Sequence, residues 1–210
     1  MALNKYEEKM INVLKETLGG VQAAFSYQKQ DAEHKLDILY AKQSPGGNYL
    51  TASTLGLVNR TTGYSDSNTG KDIRAEIIMS SYGGHDMAGK ILSTAGIGIY
   101  ETNIRYGYGT VLKDVMSLYY PNSDMKHLFL MLPPPLWKKA FGVTDADDSI
   151  ITFLYALPIS QAECEYMSAN SIDALQDLFV EKNIDMFDFE RKCVFSDENK
   201  GRNITVSTNK

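Results

Sequence analysis

The sequence contains few cysteines, no long apolar run and no apolar leader. Cys164 and Cys193 are the two cysteines among 210 residues, and each is alone in its segment. Two free thiols in a reducing compartment are the favoured interpretation, and a structural bridge stays open as the alternative. No stretch approaches the roughly 18 apolar residues of a membrane span. Charged residues begin at Lys5, and no apolar run precedes it. We therefore expect a cytoplasmic protein without a membrane segment.

Histidine, like cysteine, is scarce, and the motifs of common catalytic sites are not found. His34, His85 and His127 are not spaced with a second histidine or cysteine as a zinc site requires. There is no G-x-S-x-G elbow and no P-loop. His85-Asp86 after a glycine turn is more typical of a cap than of a hydrolase, and Cys164 needs a nearby histidine to act as a nucleophile. The sequence therefore predicts a non-enzyme without cofactor or metal. An enzyme with a pocket of His85, Asp86 and Cys164 remains an alternative.

The chain has no excess of positive charge. Its formal net charge is -5, with 21 Lys and Arg against 26 Asp and Glu. A nucleic-acid partner would require a basic face, so this balance argues against direct nucleic-acid binding. A basic protein partner is compatible with it, because acidic surface speeds encounter with positive surface. The alternative is that a modest negative charge only maintains solubility.

Residues 34–58 form the segment around which we expect the fold to be organised. Residues with period-two alternation precede the turn Ser44-Pro45-Gly46-Gly47-Asn48, and β-branched and aromatic residues follow it. Leu39 on the second face indicates that both faces of this hairpin are covered. The hairpin therefore belongs in the middle of a sheet with layers above and below.

Further strands and helices follow from periodicity and end signals. Strands are expected over residues 21–27, 72–80, 128–132 and 150–157, with residues 111–119 extended. Helices are expected over residues 4–18, 86–100 and 160–169, and from residue 171 onward. Asn4 and Ser160 are the predicted N-caps of two of these helices, and Gly19 ends the first. Pro158 is expected to end the last strand, and Trp137 to lie on a short helical turn. One domain is predicted over residues 1–196, with a polar tail at 197–210.

Two groups of residues are candidate partner-binding surfaces. The first is an aromatic region that contains Tyr100, Arg105, Tyr106 and Tyr108, with Tyr119 and Tyr120 nearby. Tyrosine and arginine are enriched in interface hot spots, although these tyrosines could equally cover a sheet edge. The second is an acidic loop that contains Asp145, Asp147 and Asp148, together with Asp185, Asp188 and Glu190. A solvated surface is the default interpretation of the loop, and a contact for a basic partner is the alternative.

The order of short motifs resembles a known family. Residues 36–39 read L-D-I-L, a Ser-Pro turn follows at 44–45, and residues 53–57 read S-T-L-G-L. Later come H-L-F at 127–129 with Trp137, and L-P-I-S-x-x-E at 157–163. Over residues 4–195 this arrangement resembles the suppressor of fused domain family, specifically its compact bacterial members.

The resemblance implies an α+β fold with a mixed, largely antiparallel β-sheet flanked by α-helices. It also implies a non-enzymatic role, because bacterial members look like immunity or antitoxin proteins that bind and block a toxin, often a nuclease. The animal relative binds a transcription-factor segment through an added strand, and this chain lacks that relative's second domain. We therefore expect an immunity protein that covers a surface of a cognate, basic toxin. A peptide-binding module that uses β-strand addition is the alternative.

Overall fold

A computed structural model of the protein describes residues 3–28, 35–83 and 87–196. Four α-helices lie within these ranges: α1 (Lys5–Leu18), α2 (Met87–Thr102), α3 (Gln161–Ala169) and α4 (Ile172–Glu181). Eight strands accompany them: β1 (Ala23–Gln28), β2 (Lys35–Lys42), β3 (Tyr49–Leu55), β4 (Asp72–Tyr82), β5 (Val111–Leu112), β6 (Met125–Met131), β7 (Thr144–Asp145) and β8 (Ser149–Ser160). Short 3-10 turns are formed at Leu57–Asn59 and Met116–Leu118.

The strands form one mixed sheet in the order β1-β2-β3-β4-β8-β6-β5, and β7 pairs with the start of β8. Strands β4 and β8 run parallel, with Ile77 opposite Leu154, and the other described pairs are antiparallel. This is the mixed, largely antiparallel sheet flanked by helices that the family resemblance implies. The expected α+β fold is therefore confirmed.

The hairpin of β2 and β3 lies inside the sheet, between β1 and β4. Its two faces enter two different cores. Leu36, Ile38 and Tyr40 contribute to the core under α2, whereas Leu39 and Ala41 contribute to the core on the opposite face. The prediction that both faces of the hairpin are covered is thus confirmed, but the centre of the sheet is the parallel pair β4 and β8.

A layer of helix covers each face. On one face α2 packs its buried residues against β2, β3 and β4. On the other face α1, α3 and α4 surround a second core, together with the segment around Trp137. The buried side chains that the helices contribute are Ile91, Leu92, Ala95 and Ile99 from α2, Met10 and Leu14 from α1, Cys164 from α3, and Leu175 and Phe179 from α4.

Glycines allow α2 to lie close to the sheet. A Cβ atom built on Gly89 would overlap the Tyr40 hydroxyl, and one built on Gly96 would overlap the Leu36 side chain. At both positions a side chain would therefore require either α2 or the facing side chain of β2 to move. Gly98 differs, since a Cβ there meets nothing within 4 Å.

Predicted signals determine the helix ends. The Asn4 side chain accepts hydrogen bonds from the amides of Tyr6 and Glu7, and Gly19 takes the left-handed conformation at φ 78° after α1. Ser160, the expected N-cap of α3, forms a capping box with Glu163, in which each side chain is bonded to the other residue's amide. These local hydrogen bonds satisfy amides that a helix start leaves without partners.

Pro158 does not end β8, which continues to Ser160. Strand β8 pairs with β4 only through Tyr155, whereas its pairing with β6 continues to the end. Pro158 therefore lies where the strand has a neighbour on one side, and a missing amide is tolerated there. The prediction of a stop at this proline is wrong because sequence does not show which edge is free.

Three other expectations need correction or lie outside the described residues. Residues 111–119 form a two-residue strand followed by the turn Met116–Leu118. Trp137 lies on irregular backbone, where its Nε1 donates to the Ser44 Oγ at 2.9 Å. His34, the His85-Asp86 pair and the tail at 197–210 lie outside the described residues.

Candidate functional site

The acidic loop is tied to the body of the protein. Lys71 Nζ donates to both carboxylate oxygens of Asp145 at 2.8 Å, and Lys9 Nζ donates to the Asp145 carbonyl at 2.8 Å. The bond from Lys71 is the main cause that lowers the pKa of Asp145. Asp147 takes the left-handed region at φ 62°, and its amide donates to Asp145 Oδ1. Lysine side chains of the same molecule therefore neutralise much of the negative charge at Asp145.

Asp148 connects the same loop to the first helix. Its Oδ2 accepts from the Tyr6 hydroxyl at 2.8 Å and from Lys5 Nζ at 3.2 Å. The hydrogen bond from Tyr6, followed by that from Lys5, holds the pKa of Asp148 below its usual value. The loop does lie at the surface, as expected, but Asp145 and Asp148 already have cationic partners. This weakens the loop as a separate site for a basic partner.

The aromatic region divides into buried and exposed members. Tyr106 is fully buried, and its hydroxyl donates to the Ala75 carbonyl at 2.9 Å. It is therefore not available at the surface, and burial raises the pKa of its hydroxyl well above the ordinary value. Tyr100 is half-buried and donates to the Gly56 carbonyl at 2.5 Å.

Arg105 and Tyr108 face solvent. The Arg105 guanidinium lies 4.1 Å from the centre of the Tyr64 ring, and Tyr108 is 45% exposed. Gln176 donates to the Tyr108 hydroxyl at 3.2 Å, while that hydroxyl donates to Asp173 at 3.4 Å. Arg105 and Tyr108 therefore remain the accessible members of the predicted aromatic region.

A second aromatic group, which the sequence does not reveal, forms where β3 begins and β4 ends. Tyr49 and Tyr82 are directly opposite each other in the sheet, with ring centres 5.6 Å apart. Phe187, from the loop after α4, packs 4.3 Å from Tyr49 and 6.3 Å from Tyr82. Asp185 holds this arrangement, because it accepts from both the Tyr82 hydroxyl and the Phe187 amide. The bond to Asp185 is the main cause that raises the pKa of Tyr82 to about 12.

A shallow groove opens beside these rings, and we call it the acidic aromatic groove. It encloses about 50 Å³ and is lined chiefly by Tyr82, Tyr120, Phe187, Asp188, Phe189 and Glu190. Asp188 and Glu190 have no ion-pair partner among residues 3–28, 35–83 and 87–196. The sequence marks these carboxylates as acidic, but Tyr82 lies too far from them in the chain for periodicity to join them.

The candidate nucleophile and the described histidine have separate partners. Lys113 Nζ donates to the buried Cys164 sulfur at 3.2 Å. His127 Nδ1 accepts from the Asp114 amide at 2.9 Å, and its Nε2 lies 2.7 Å from Gln161 Oε1. With Nδ1 as the acceptor, the ring hydrogen on Nε2 faces Gln161 Oε1.

Neither a metal cluster nor a membrane span is found where the structure is described. In that part of the chain, no three histidine, cysteine, aspartate or glutamate side chains are grouped so that they could hold a metal ion. No helix there is long and apolar enough to cross a bilayer.

Comparisons with known proteins agree on one family. The family model of the suppressor of fused protein (SUFU) matches residues 32–192. The immunity protein YqcF of Bacillus subtilis (strain 168) is 32% identical over 176 residues, which cover 84% of this chain and 90% of that protein. Because both the family match and the relative cover most of the chain, the likeness extends well beyond short motifs.

Solved structures share the fold. A putative suppressor of fused homologue from Neisseria gonorrhoeae FA 1090 superposes with a TM-score of 0.69 at 15% identity, covering 91% of this chain and 97% of that one. The Sufu-Fu complex gives a TM-score of 0.61 at 13% identity, covering 90% and 92%. Drosophila Suppressor of Fused gives 0.59 at 13% identity, covering 92% of this chain and 54% of that one.

Proposed function

Since the chain belongs to the suppressor of fused family, we propose that it is a bacterial immunity protein that binds a cognate toxin and neutralises it by covering its surface. The observation that carries this proposal is the 32% identity to the immunity protein YqcF over 84% of the chain. The neutralised protein is a basic toxin, and in the most specific form of the proposal it is a nuclease. The two proteins meet in the cytoplasm.

The shape and charge of the surface support a role in protein binding. The acidic aromatic groove of about 50 Å³ is far smaller than the roughly 300–1,000 Å³ of typical small-molecule sites. Exposed tyrosine and carboxylate side chains lie beside it, and the net charge is -5. Such a surface suits a positively charged protein, because complementary charge speeds association. The proposed mechanism is stoichiometric occlusion without turnover.

Co-expression with a candidate toxin domain, taken from a reading frame that neighbours this gene, tests the proposal. We expect the chain to restore growth of cells that express the toxin domain, and the purified proteins to form a stable complex. In vitro, inhibition of the toxin should be complete at a molar ratio of one molecule of this chain to one binding site on the toxin. An unrelated toxin serves as the control. Protection by far less than stoichiometric amounts would instead indicate an enzyme.

A peptide-binding role by strand addition is the second candidate, and the composition of β1 favours it. Strand β1 pairs only with β2 within the described residues, and its sequence A-A-F-S-Y-Q contains neither proline nor charge. Edge strands without such residues are open to pairing with another chain. If the chain binds its partner by strand addition, replacing the exposed Ala24 by lysine should abolish that binding, whereas occlusion through the acidic surface predicts little change.

A further inference from the structure

The acidic aromatic groove has the composition of a site for one cationic side chain. Tyr82 is 40% exposed and Phe187 is half-buried, so both rings offer part of their surface to solvent. Asp188 and Glu190 stand at the same groove. A cation that enters would meet ring surface and carboxylates together, and both attract positive charge.

The neighbouring Arg191 does not pair with the carboxylates of Asp188 and Glu190, so they can bind a cation from a partner. Arg191 follows Glu190 directly, but its guanidinium is turned into the core, where Nη1 and Nη2 donate to Glu163 at 2.7 and 2.8 Å. Asp188 Oδ1 accepts from the Glu190 amide at 2.9 Å, which fixes the loop without adding positive charge. The acidic loop at residues 144–149 differs, because lysine side chains contact Asp145 and Asp148 there.

We propose that the acidic aromatic groove binds an arginine side chain from the basic surface of the toxin, an inference that rests on the proposed function. Arginine fits better than lysine, because its planar guanidinium stacks on rings and donates to two carboxylates at once. The chain already contains this arrangement in its core. There the Arg191 guanidinium lies 5.2 Å from the Phe179 ring centre while it pairs with Glu163.

A short peptide of alternating glycine and arginine is the probe, titrated into the full chain and followed by amide chemical shifts. We expect shifts centred on Tyr82, Phe187, Asp188 and Glu190 at low ionic strength. The double variant D188N/E190Q should weaken binding about tenfold, since one charged, ring-stacked contact contributes on that scale. Matched peptides with lysine or citrulline in place of arginine should bind more weakly.

The control variant is E8Q/D177N. Glu8 and Asp177 are exposed on α1 and α4, and the described side chains form no hydrogen bond or ion pair with their carboxylates. Each double variant removes two negative charges, so a general charge effect would weaken peptide binding equally in both. Four outcomes would each overturn the inference. They are equal weakening of peptide binding in both double variants, chemical shift changes centred away from the groove, undetectable binding of the arginine peptide, and a lysine peptide that binds as tightly as the arginine peptide. Thermal unfolding of both variants confirms that they fold.

Toxin neutralisation separates failure of this inference from failure of the proposed function. If the unmodified chain and D188N/E190Q protect cells equally, with the same affinity for the toxin, the groove assignment is wrong and the immunity function stands. If neither protects against any candidate toxin from the neighbouring reading frames, the proposed function fails, and the peptide titration still tests the groove. If D188N/E190Q binds the toxin more weakly than E8Q/D177N does, the result supports both the groove assignment and the proposed function.

Discussion

Glu76 is a carboxyl group buried completely within β4. Thr54 Oγ1 donates to its Oε2 at 2.5 Å, and the amides of Gly56 and Val58 donate to its Oε1 at 2.8 and 3.0 Å. Burial is the largest influence on this group and raises its pKa from 4.5 to about 7, against the opposing effect of the hydrogen bonds. A single residue therefore links stability of the fold to pH.

We expect the free energy of unfolding to fall as the pH rises from 4.5 to about 7. In this range the folded protein holds a proton on Glu76 that the unfolded chain has released. Integrated over the window, the loss is on the order of 3 kcal/mol. Glu76→Gln does not titrate, so urea unfolding between about pH 5 and pH 8 should show a smaller decline for this variant. Parallel pH profiles would show that Glu76 is ionised throughout.

The sequence correctly indicated which candidate residues are acidic or aromatic. It did not indicate which of them are exposed and without partners inside the protein. Asp145 and Asp148 are exposed acidic residues, as expected, but their partners Lys71 and Lys5 are 74 and 143 positions away in sequence. Tyr106 belongs to an aromatic sequence, yet it is fully buried. Such long-range contacts depend on how strands are ordered in the sheet, and no local pattern specifies that order.

At the scale of elements, a buried ion pair holds the C-terminal segment against α3. Arg191 donates to both oxygens of Glu163, and Glu163 also accepts from the Val194 amide at 3.0 Å. Arg191→Met leaves Glu163 buried without its cation, and we expect a loss of about 3–5 kcal/mol in the free energy of unfolding. Chemical denaturation measures it.

Arg105→Met is the matched control for this prediction. Arg105 is exposed and stacked on Tyr64, so we expect its replacement to cost less than about 1 kcal/mol. The double variant E163Q/R191M should recover part of the stability that R191M loses, because it removes the unpaired charge. Equal effects of the two arginine replacements would contradict a stabilising role for the buried pair.

Replacing two glycines of α2 by alanine should change the free energy of unfolding in opposite directions. Gly89→Ala places a methyl group on the Tyr40 hydroxyl, so we expect destabilisation of about 1–3 kcal/mol. Gly98→Ala meets nothing within 4 Å, and the higher helix propensity of alanine should stabilise the protein by up to about 1 kcal/mol. Thermal unfolding of both variants measures the difference. A stabilising G89A would mean that α2 does not lie against β2 as described.

The elements themselves were largely predictable because their signals are local. Asn4, Gly19, Ser160 and Glu163 specify helix ends through bonds to amides a few residues away. The pairing of β4 with β8 was not predictable, because the strands are distant in sequence and run parallel. Continuation of β8 through Pro158 depends on the same strand order. The acidic aromatic groove was missed for this reason too, since β3, β4 and the loop after α4 meet only in the folded chain.

For the whole molecule, net charge and local contacts should affect different steps of the proposed binding to a toxin. The formal net charge is -5, and long-range attraction acts mainly on association, whereas close contacts act mainly on dissociation. Both D188N/E190Q and E8Q/D177N remove two negative charges. We therefore expect each to slow association with a basic toxin by a similar factor, about twofold to threefold at low salt. High salt should abolish this shared effect because it screens exposed charges.

Dissociation should distinguish the two variants. D188N/E190Q removes carboxylates from the acidic aromatic groove, so its complex should dissociate roughly tenfold faster, while E8Q/D177N dissociates at the unmodified rate. Surface plasmon resonance with immobilised toxin measures both rates at low and high salt. Since screening weakens the general field more than a desolvated contact, the difference in dissociation should persist at high salt. If dissociation is unchanged in both variants, electrostatic steering by the whole surface accounts for all of the acidic contribution, and no single contact holds the toxin.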